Sequence, residues 1–399
     1  MTRAADVLVL HGGSPVRETP LPYGRQSVQD DDLAAVEEVL RSDWLTTGPK
    51  VAEFEEALAG VAGTDAAVAV SNGTAALHAA MFAIGIGPGD EVIVPAITFA
   101  ATANAVLFQG GTPVFADVEA DTLMLDPKDA ERKITARTRA IVSVDYAGQP
   151  CDYGALREIA ERRRVALVAD ACHALGGEFR GRPVGSLADL SAFSFHPVKH
   201  ITSGEGGAVT TDDRRLAEKM RAFRNHGITS DHRQRQEKGT HSYEMEDLGY
   251  NYRLTDFQCA MAASQLRRLP GFVQRRQAIA AAYDEAFSGM SGLSPLAVRP
   301  NVSHAYHLYV VQLDLDALTT DRDTVVSALR AENVGVNVHY LPVYWHPYYE
   351  RLGYKKGSCP AAERAYEQII SLPMFYDMTD EDVDDVMTAV RKVVGHYVL

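Results

Sequence analysis

An α/β fold, with a large mostly parallel seven-stranded sheet domain followed by a small α+β C-terminal domain, is what this 399-residue sequence predicts. Three observations lead there. Seven short apolar runs lie within residues 65–212, most of them separated by segments whose apolar positions repeat at helical spacing. Continuous apolar strands alternating with helices mark a parallel sheet covered on both faces. Further on, HLYVVQLD, DRDTVVSALRAENV, NVHYL and DEDVDDVMTAVRKVVGHY describe a smaller α+β unit. The chain is also longer than one core readily organises, so two domains are expected, 1–270 and 271–399.

The elements follow in order. Residues 31–42, DDLAAVEEVLRS, place acids in the first turn and apolar residues at helical spacing, so a helix begins there. A turn around Gly48 and Pro49 leads into a second helix. DAAVAV is then a strand, Ser71-Asn72-Gly73-Thr74 a turn, and the alanine-rich stretch after it a helix. EVIVPAITF, TPVFADV, AIVSVDY, RVALVAD and LSAFSFH are the next strands, with CDYGALREIAERR the clearest intervening helix. GGAVTTD is the last; the loop joining it to LSAFSFH is too short for a covering helix, so an antiparallel course is open to it. The polar stretch 227–248 lacks periodicity and forms a long excursion. A helix follows Arg253 with Thr255 as its cap, and FVQRRQAIAAAYDEAF is a further helix ending near Gly289.

Composition narrows the function. Hydrophobic residues make up 46% and charged residues 23%, an ordinary globular balance. A formal charge of -14 with no compensating basic stripe argues against a nucleic-acid surface. The run Arg162-Arg163-Arg164 reads as a solvated helix end, although a local patch for a phosphorylated substrate is permitted. Cys151, Cys172, Cys259 and Cys359 are far apart, and no secretory leader is evident, so reduced thiols in a cytoplasmic protein are expected. No apolar run approaches the length of a membrane helix.

Four segments carry chemistry. Asp170 ends the strand RVALVAD, where groups at strand C-termini line the ligand crevice of an open α/β sheet. A charge beside apolar strand residues needs a partner, and a protonated pyridine nitrogen would serve; a helix cap or structural hydrogen bond is the other reading. Lys199 follows a strand and a proline, just before a glycine-rich loop. A lysine drawn into a crevice loses hydration, its pKa falls, and imine formation with an aldehyde becomes possible; a solvated loop lysine is the alternative. Ser194 alternates with Phe193 and Phe195, so it can face the crevice and donate to a phosphate. Ser71-Asn72-Gly73-Thr74 opens a helix, where free N–H groups favour a phosphate or simply make an ordinary cap. Phe99 stands between a strand and a helix, able to stack on a planar cofactor or to pack in the core. Together these amount to a phosphate cradle, a flat face, a carboxylate and an amine on one edge of one sheet.

Lys199 in SFHPVKHITSGEGGAVTTDD, Asp170 in VADACHALGG, Gly73-Thr74 in SNGTAALH, and Gly249-Tyr250-Asn251-Tyr252-Arg253 resemble the DegT/DnrJ/EryC1/StrS family of sugar aminotransferases. The likeness runs through almost the whole chain, including SLPMFYDMTDEDVDDV. It implies a fold-type-I (aspartate-aminotransferase-like) transferase dependent on pyridoxal phosphate (PLP), acting as a homodimer with shared active sites. Carried over by motif, Lys199 is the Schiff-base lysine and Asp170 the partner of the pyridine nitrogen. Phe99 is the stacking aromatic, Gly73, Thr74 and Ser194 form the phosphate site, and His173 lies close to the cofactor ring. Asn251 would reach the phosphate from the other subunit. His339, Tyr340 and Arg253 are the implied substrate residues, with His346 a weaker candidate.

A narrower likeness, in VDYAGQPCDYGAL and the segment from VNVHYLPVYWHP to IISLP, is to the transaminases that form UDP-4-amino-4,6-dideoxy-N-acetyl-β-L-altrosamine. Two departures stand out. Ala169 fills a place where the family has an acid, and DHRQRQEKGTHSYEMEDLG is long and charged, so that Arg233, Arg235 and Lys238 either meet a diphosphate or lie in a solvated loop. His339 and His346 lack a third ligand at sensible spacing, so no metal site is expected. The implied reaction takes an amino group from L-glutamate to a sugar-nucleotide ketone, with Lys199 moving the proton and Asp170 keeping the ring nitrogen charged. Competing readings are an aminotransferase for another keto sugar, a cyclitol or a natural-product ketone, and a PLP-binding protein without turnover. Sugar 3-dehydration is disfavoured, because histidine would be expected where Lys199 stands.

Overall fold

The computed structural model describes residues 7–228, 239 and 242–399. Its main sheet contains β1 (Ala66–Val70), β2 (Glu91–Pro95), β3 (Thr112–Ala116), β4 (Thr138–Val144) and β5 (Ala166–Asp170). Two short strands, β6 (Glu178–Phe179) and β7 (Arg182–Pro183), come before β8 (Leu190–Ser194) and β9 (Gly207–Thr211), which return to that sheet. The seven strands lie in the order β1-β9-β8-β5-β4-β2-β3. β9 runs antiparallel to both neighbours, as its short connection allows, and the other pairings are parallel.

Every residue of β1, β2 and β9 is buried, which is why β1 and the body of β2 read as unbroken apolar runs rather than alternating ones. Removing each such valine or isoleucine from water contributes about 1.5–3 kcal/mol. The register sets the working edge of the sheet. Asp170 pairs with Val144 and Ala192, while Ser194 and Val70 both pair with Gly207. The C-terminal ends of β1, β5 and β8 therefore share one side with the start of β9.

A second, antiparallel sheet is formed by β10 (Leu293–Pro295), β12 (Tyr309–Leu313) and β13 (Ile369–Leu372). The two residues Val302–Ser303 (β11) instead pair with β6. The terminal helix Asp380–Tyr397 begins at Thr379 with a reciprocal cap from Asp382, and it buries a stripe of valines against this second core. Thr255 likewise caps the helix Asp256–Leu266 in a reciprocal pair with Gln258. The long helix Leu269–Phe287 joins the two cores: Leu269, Phe272 and Val273 pack into the first, and Ile279, Tyr283 and Phe287 into the second. Near the N-terminus, Leu8 and Leu21 are buried in the second core, and buried Glu332 accepts the Val9 and Val16 N–H groups while pairing with Lys392. No helix among the described residues is long and apolar enough to cross a membrane.

Candidate active site

A cavity of about 850 Å³ opens over the working edge, within the range of small-molecule sites. Gly73, Thr74, Phe99, Asp170, His173, Ser194, Lys199, His339 and Tyr340 all line it, so nine residues singled out from the sequence meet in one place.

The cradle comes from the turn after β1. Asn72 caps the helix Gly73–Ala83 by accepting the Ala75 N–H at 2.8 Å. The Gly73 and Thr74 N–H groups find no acceptor among the described residues. A Cβ on Gly73 would stand 2.9 Å from the Ser194 Cβ and 3.3 Å from the Cys172 Sγ, so only glycine lets this turn approach β8. Free N–H groups at a positive helix end, beside the Ser194 hydroxyl, suit a phosphate.

Asp170 is 6% exposed. Its Oδ2 accepts from the Thr102 hydroxyl at 2.7 Å, and Thr102 in turn lies 2.7 Å from the Thr98 hydroxyl. Its Oδ1 has only a long contact, 3.3 Å, from the Cys172 N–H. No lysine, arginine or histidine among the described residues forms an ion pair with it. A buried carboxylate provided with one strong neutral donor and no cation is matched to a cationic group arriving in the cavity.

Lys199 opens onto the same cavity. Burial lowers its pKa, opposed by Cys172 and Asp170 and assisted by the Arg276 charge. Its Nζ lies 3.4 Å from His307 Nε2. Phe99 is 60% exposed despite neighbouring the core, with its ring 6.0 Å from that of Tyr340. Of the two sequence readings for Phe99, the open flat face is the one observed.

His173 and the His339–Tyr340 pair also line the cavity. The Tyr340 hydroxyl lies 3.1 Å from His173 Nε2, and burial holds His173 well below the usual histidine pKa. His339 Nδ1 bonds the Ser371 hydroxyl at 2.8 Å, and its backbone carbonyl accepts from the Tyr146 hydroxyl. Burial pushes the His339 pKa down to about 4, so the ring is neutral at physiological pH.

Two sequence candidates lie elsewhere in the chain. Asn251 is exposed and outside the cavity, bridging to Asn225, although Tyr252 beside it lines the cavity and accepts the Ser71 N–H at 2.8 Å. Arg253 lines a separate hollow of about 540 Å³ with Glu55, Arg221 and Arg224, and donates to Asn225 at 2.8 Å. The weaker candidate His346 instead caps the short helix Pro347–Arg351. Arg233, Arg235 and Lys238 lie outside the described residues. Conversely, Thr102, Tyr23, Asn337 and His307 belong to the site or its support and were not singled out from the sequence. Only His307 carried a signal, a histidine at the very start of an apolar strand run.

Comparison with known proteins supplies an independent line. A family model described as the DegT/DnrJ/EryC1/StrS aminotransferase family matches residues 26–391. The spore coat polysaccharide biosynthesis protein SpsC of Bacillus subtilis is 42% identical over 94% of this chain and 97% of its own. Spr1654 of Streptococcus pneumoniae, solved in PMP, PLP and apo forms, is 33% identical in its PMP form with a TM-score of 0.90, covering 94% of this chain and 99% of its own. PseC of Helicobacter pylori, an aminotransferase involved in pseudaminic acid biosynthesis, is 33% identical with a TM-score of 0.89, covering 95% of this chain and 100% of its own. The fold-type-I architecture expected from the sequence is the one these structures share with this chain.

Proposed function

Since the chain belongs to the DegT/DnrJ/EryC1/StrS aminotransferase family, we propose that it moves an amino group from L-glutamate to the C4 ketone of a nucleotide-linked sugar, with UDP-4-keto-6-deoxy-HexNAc as the substrate of choice. It is a transaminase, and its cofactor is pyridoxal phosphate, the group carried by its solved relatives. The observation that carries the reading is the meeting in one cavity of an ion-pair-free buried carboxylate and an amine of lowered pKa.

The residues fit the cofactor. The Gly73 and Thr74 N–H groups and the Ser194 hydroxyl would hold its phosphate, Phe99 its ring face, Asp170 its ring nitrogen, and Lys199 its aldehyde carbon. When bound, it supplies a ring that accepts electrons from the carbon bearing the transferred nitrogen. Asp170 keeps a positive charge on the ring nitrogen by standing next to it as a carboxylate, and Thr102 fixes which oxygen is free to do so. Lys199 Nζ, its ammonium form disfavoured by burial, would take a proton from the substrate carbon and deliver it to the carbon on the other side of the transferred nitrogen. His339 and Tyr340 line the cavity beside that transfer, with the Tyr340 hydroxyl against His173.

The sugar assignment draws on the 33% identity with PseC and on the VDYAGQP and VNVHYLP segments, with His339 and Tyr340 meeting the sugar. The enzyme works as a homodimer in which the partner subunit supplies Asn251. The exposure of Asn251, next to a residue that does line the cavity, supports this. Four free cysteines support a cytoplasmic setting. The deciding experiment incubates purified enzyme with glutamate and a panel of UDP- and dTDP-linked 4-keto sugars, with mass spectrometry of the products. An amine on the UDP-4-keto-6-deoxy-HexNAc is expected. Turnover confined to a cyclitol ketone, or none with any keto sugar, would overturn the proposal.

A further inference from the structure

We propose that His307 is the positioning residue for Lys199: its imidazole accepts an N–H from the lysine and fixes where that amine points. The inference rests on the reading of Lys199 given above and deepens it. His307 Nε2, at 3.4 Å, is the only hydrogen-bond partner of the Lys199 Nζ among the described residues. In its ammonium form Lys199 can only donate, so there Nε2 accepts and the ring is neutral. Burial favours that neutral form.

The backbone around His307 is fixed with unusual thoroughness. Arg276 Nη1 donates to the carbonyls of Tyr306 at 3.0 Å, His307 at 3.3 Å and Met374 at 3.0 Å. His200 Nε2 bonds the Ala305 carbonyl at 2.9 Å, and the Ala305 and Leu308 N–H groups donate to Gly148 and Ala147. Tyr306 is held at a φ of 50°, a left-handed conformation uncommon for an aromatic residue. Gly148, at a φ of 107°, lies so close that a Cβ would stand 2.8 Å from both the His307 nitrogen and the His173 oxygen. Strained backbone held from several sides persists where a side chain must be aimed.

A histidine serving only to fill the core would have both ring nitrogens satisfied, yet His307 Nδ1 is buried without a partner among the described residues. That orphaned nitrogen is what remains when the ring is oriented for its other one. The remaining titratable groups facing Lys199 are Asp170 at the end of β5, Cys172 and His173 just after it, His200 next to the lysine in the chain, His339, and Arg276 on the long helix.

The test labels Lys199 in the apoprotein with short pulses of acetic anhydride across pH, read by peptide mass spectrometry. Replacing His307 by Phe removes the acceptor but keeps a ring; the ammonium loses a stabilising contact, so the labelling midpoint falls by about one pH unit. His307→Gln, whose Oε1 can stand near the Nε2 position, restores the wild-type midpoint. If Phe prevents folding, His307→Met takes its place with the same expectation. A midpoint that stays put in the apolar variant, or that Gln fails to restore in a folded protein, overturns the inference. Borohydride reduction of wild-type enzyme mixed with pyridoxal phosphate separates the two levels of the claim. If the cofactor is not trapped on Lys199, the underlying reading fails; if it is trapped and the midpoint does not move, only the role of His307 fails.

Discussion

Replacing Asp170 by Asn isolates the charge around which the cavity is organised. Asparagine matches the size of aspartate, and its carbonyl can keep the 2.7 Å bond from Thr102. What changes is the other atom, from a carboxylate oxygen to an N–H donor, so the ring nitrogen meets a like-minded donor and sheds its proton. Removing one member of a buried charge pair costs about 3–5 kcal/mol, which at 1.36 kcal/mol per decade is roughly 10²- to 10⁴-fold in rate. Because the cavity is open to solvent, the lower part of that range, about 10²- to 10³-fold, is expected. The phosphate cradle is untouched, so cofactor content stays near wild type. The assay mixes cofactor-loaded enzyme with excess glutamate in a stopped-flow instrument and follows the loss of the visible band in a single turnover. A rate within tenfold of wild type, at full cofactor occupancy, would refute the electrostatic role of Asp170.

Two further outcomes are expected. If the sites are shared, co-expressing a Lys199→Ala chain with an Asn251→Ala chain yields mixed dimers that carry one intact site, so activity returns to about half of wild type although each variant alone is inactive; no recovery in purified mixed dimers would refute shared sites. Acid should destabilise the apoprotein already between pH 7 and 5. His339, held at about 4, and His304, at about 3, bind protons in the unfolded chain from pH 6.5 downward but not in the folded one, so each removes about 1.4 kcal/mol per pH unit as pH falls through that window. Buried Asp145, raised to about 7, is protonated in the folded state and acts in the opposite direction, but it is one group against several histidines. Urea midpoints that are flat between pH 7.5 and 5 would show this accounting to be wrong.

The sheet was legible because its strands are buried on both faces, so their composition alone separates them from the helices between. Ser194 was placed by strand alternation and Asp170 by its position at a strand end, and both lie on the working edge. Phe99 was ambiguous because an apolar ring between two elements reads the same whether it packs or lies open. Local pattern could not reveal the support. Thr102 sits 68 residues from Asp170 and His307 108 residues from Lys199, and neither spacing has any periodic expression. Tyr23 reaches the cavity only because Leu21 bridges to Val334, more than three hundred residues away. Asn251 and Arg253 were legible through resemblance alone, and nothing in their burial within one chain would have selected them.

The distribution of that support has a consequence for how the enzyme works. The parallel sheet can supply polar groups only where its strands end, since any charge within them would be stranded in apolar surroundings. It provides the cradle, the carboxylate with the Thr102 hydroxyl that orients it, and the lysine, but not the contacts that aim Lys199 and His339. Those come from the other unit: His307 lies two residues before β12, the Ser371 that fixes His339 is in β13, and Arg276 joins the long helix to both segments. Lys199 and His173 are thus bonded to side chains that follow the long helix in the chain, His307 and Tyr340. A shift of the smaller sheet against the larger would move the imidazole from the lysine before it disturbed the cradle, so loss of lysine reactivity should precede loss of phosphate binding as the two units loosen.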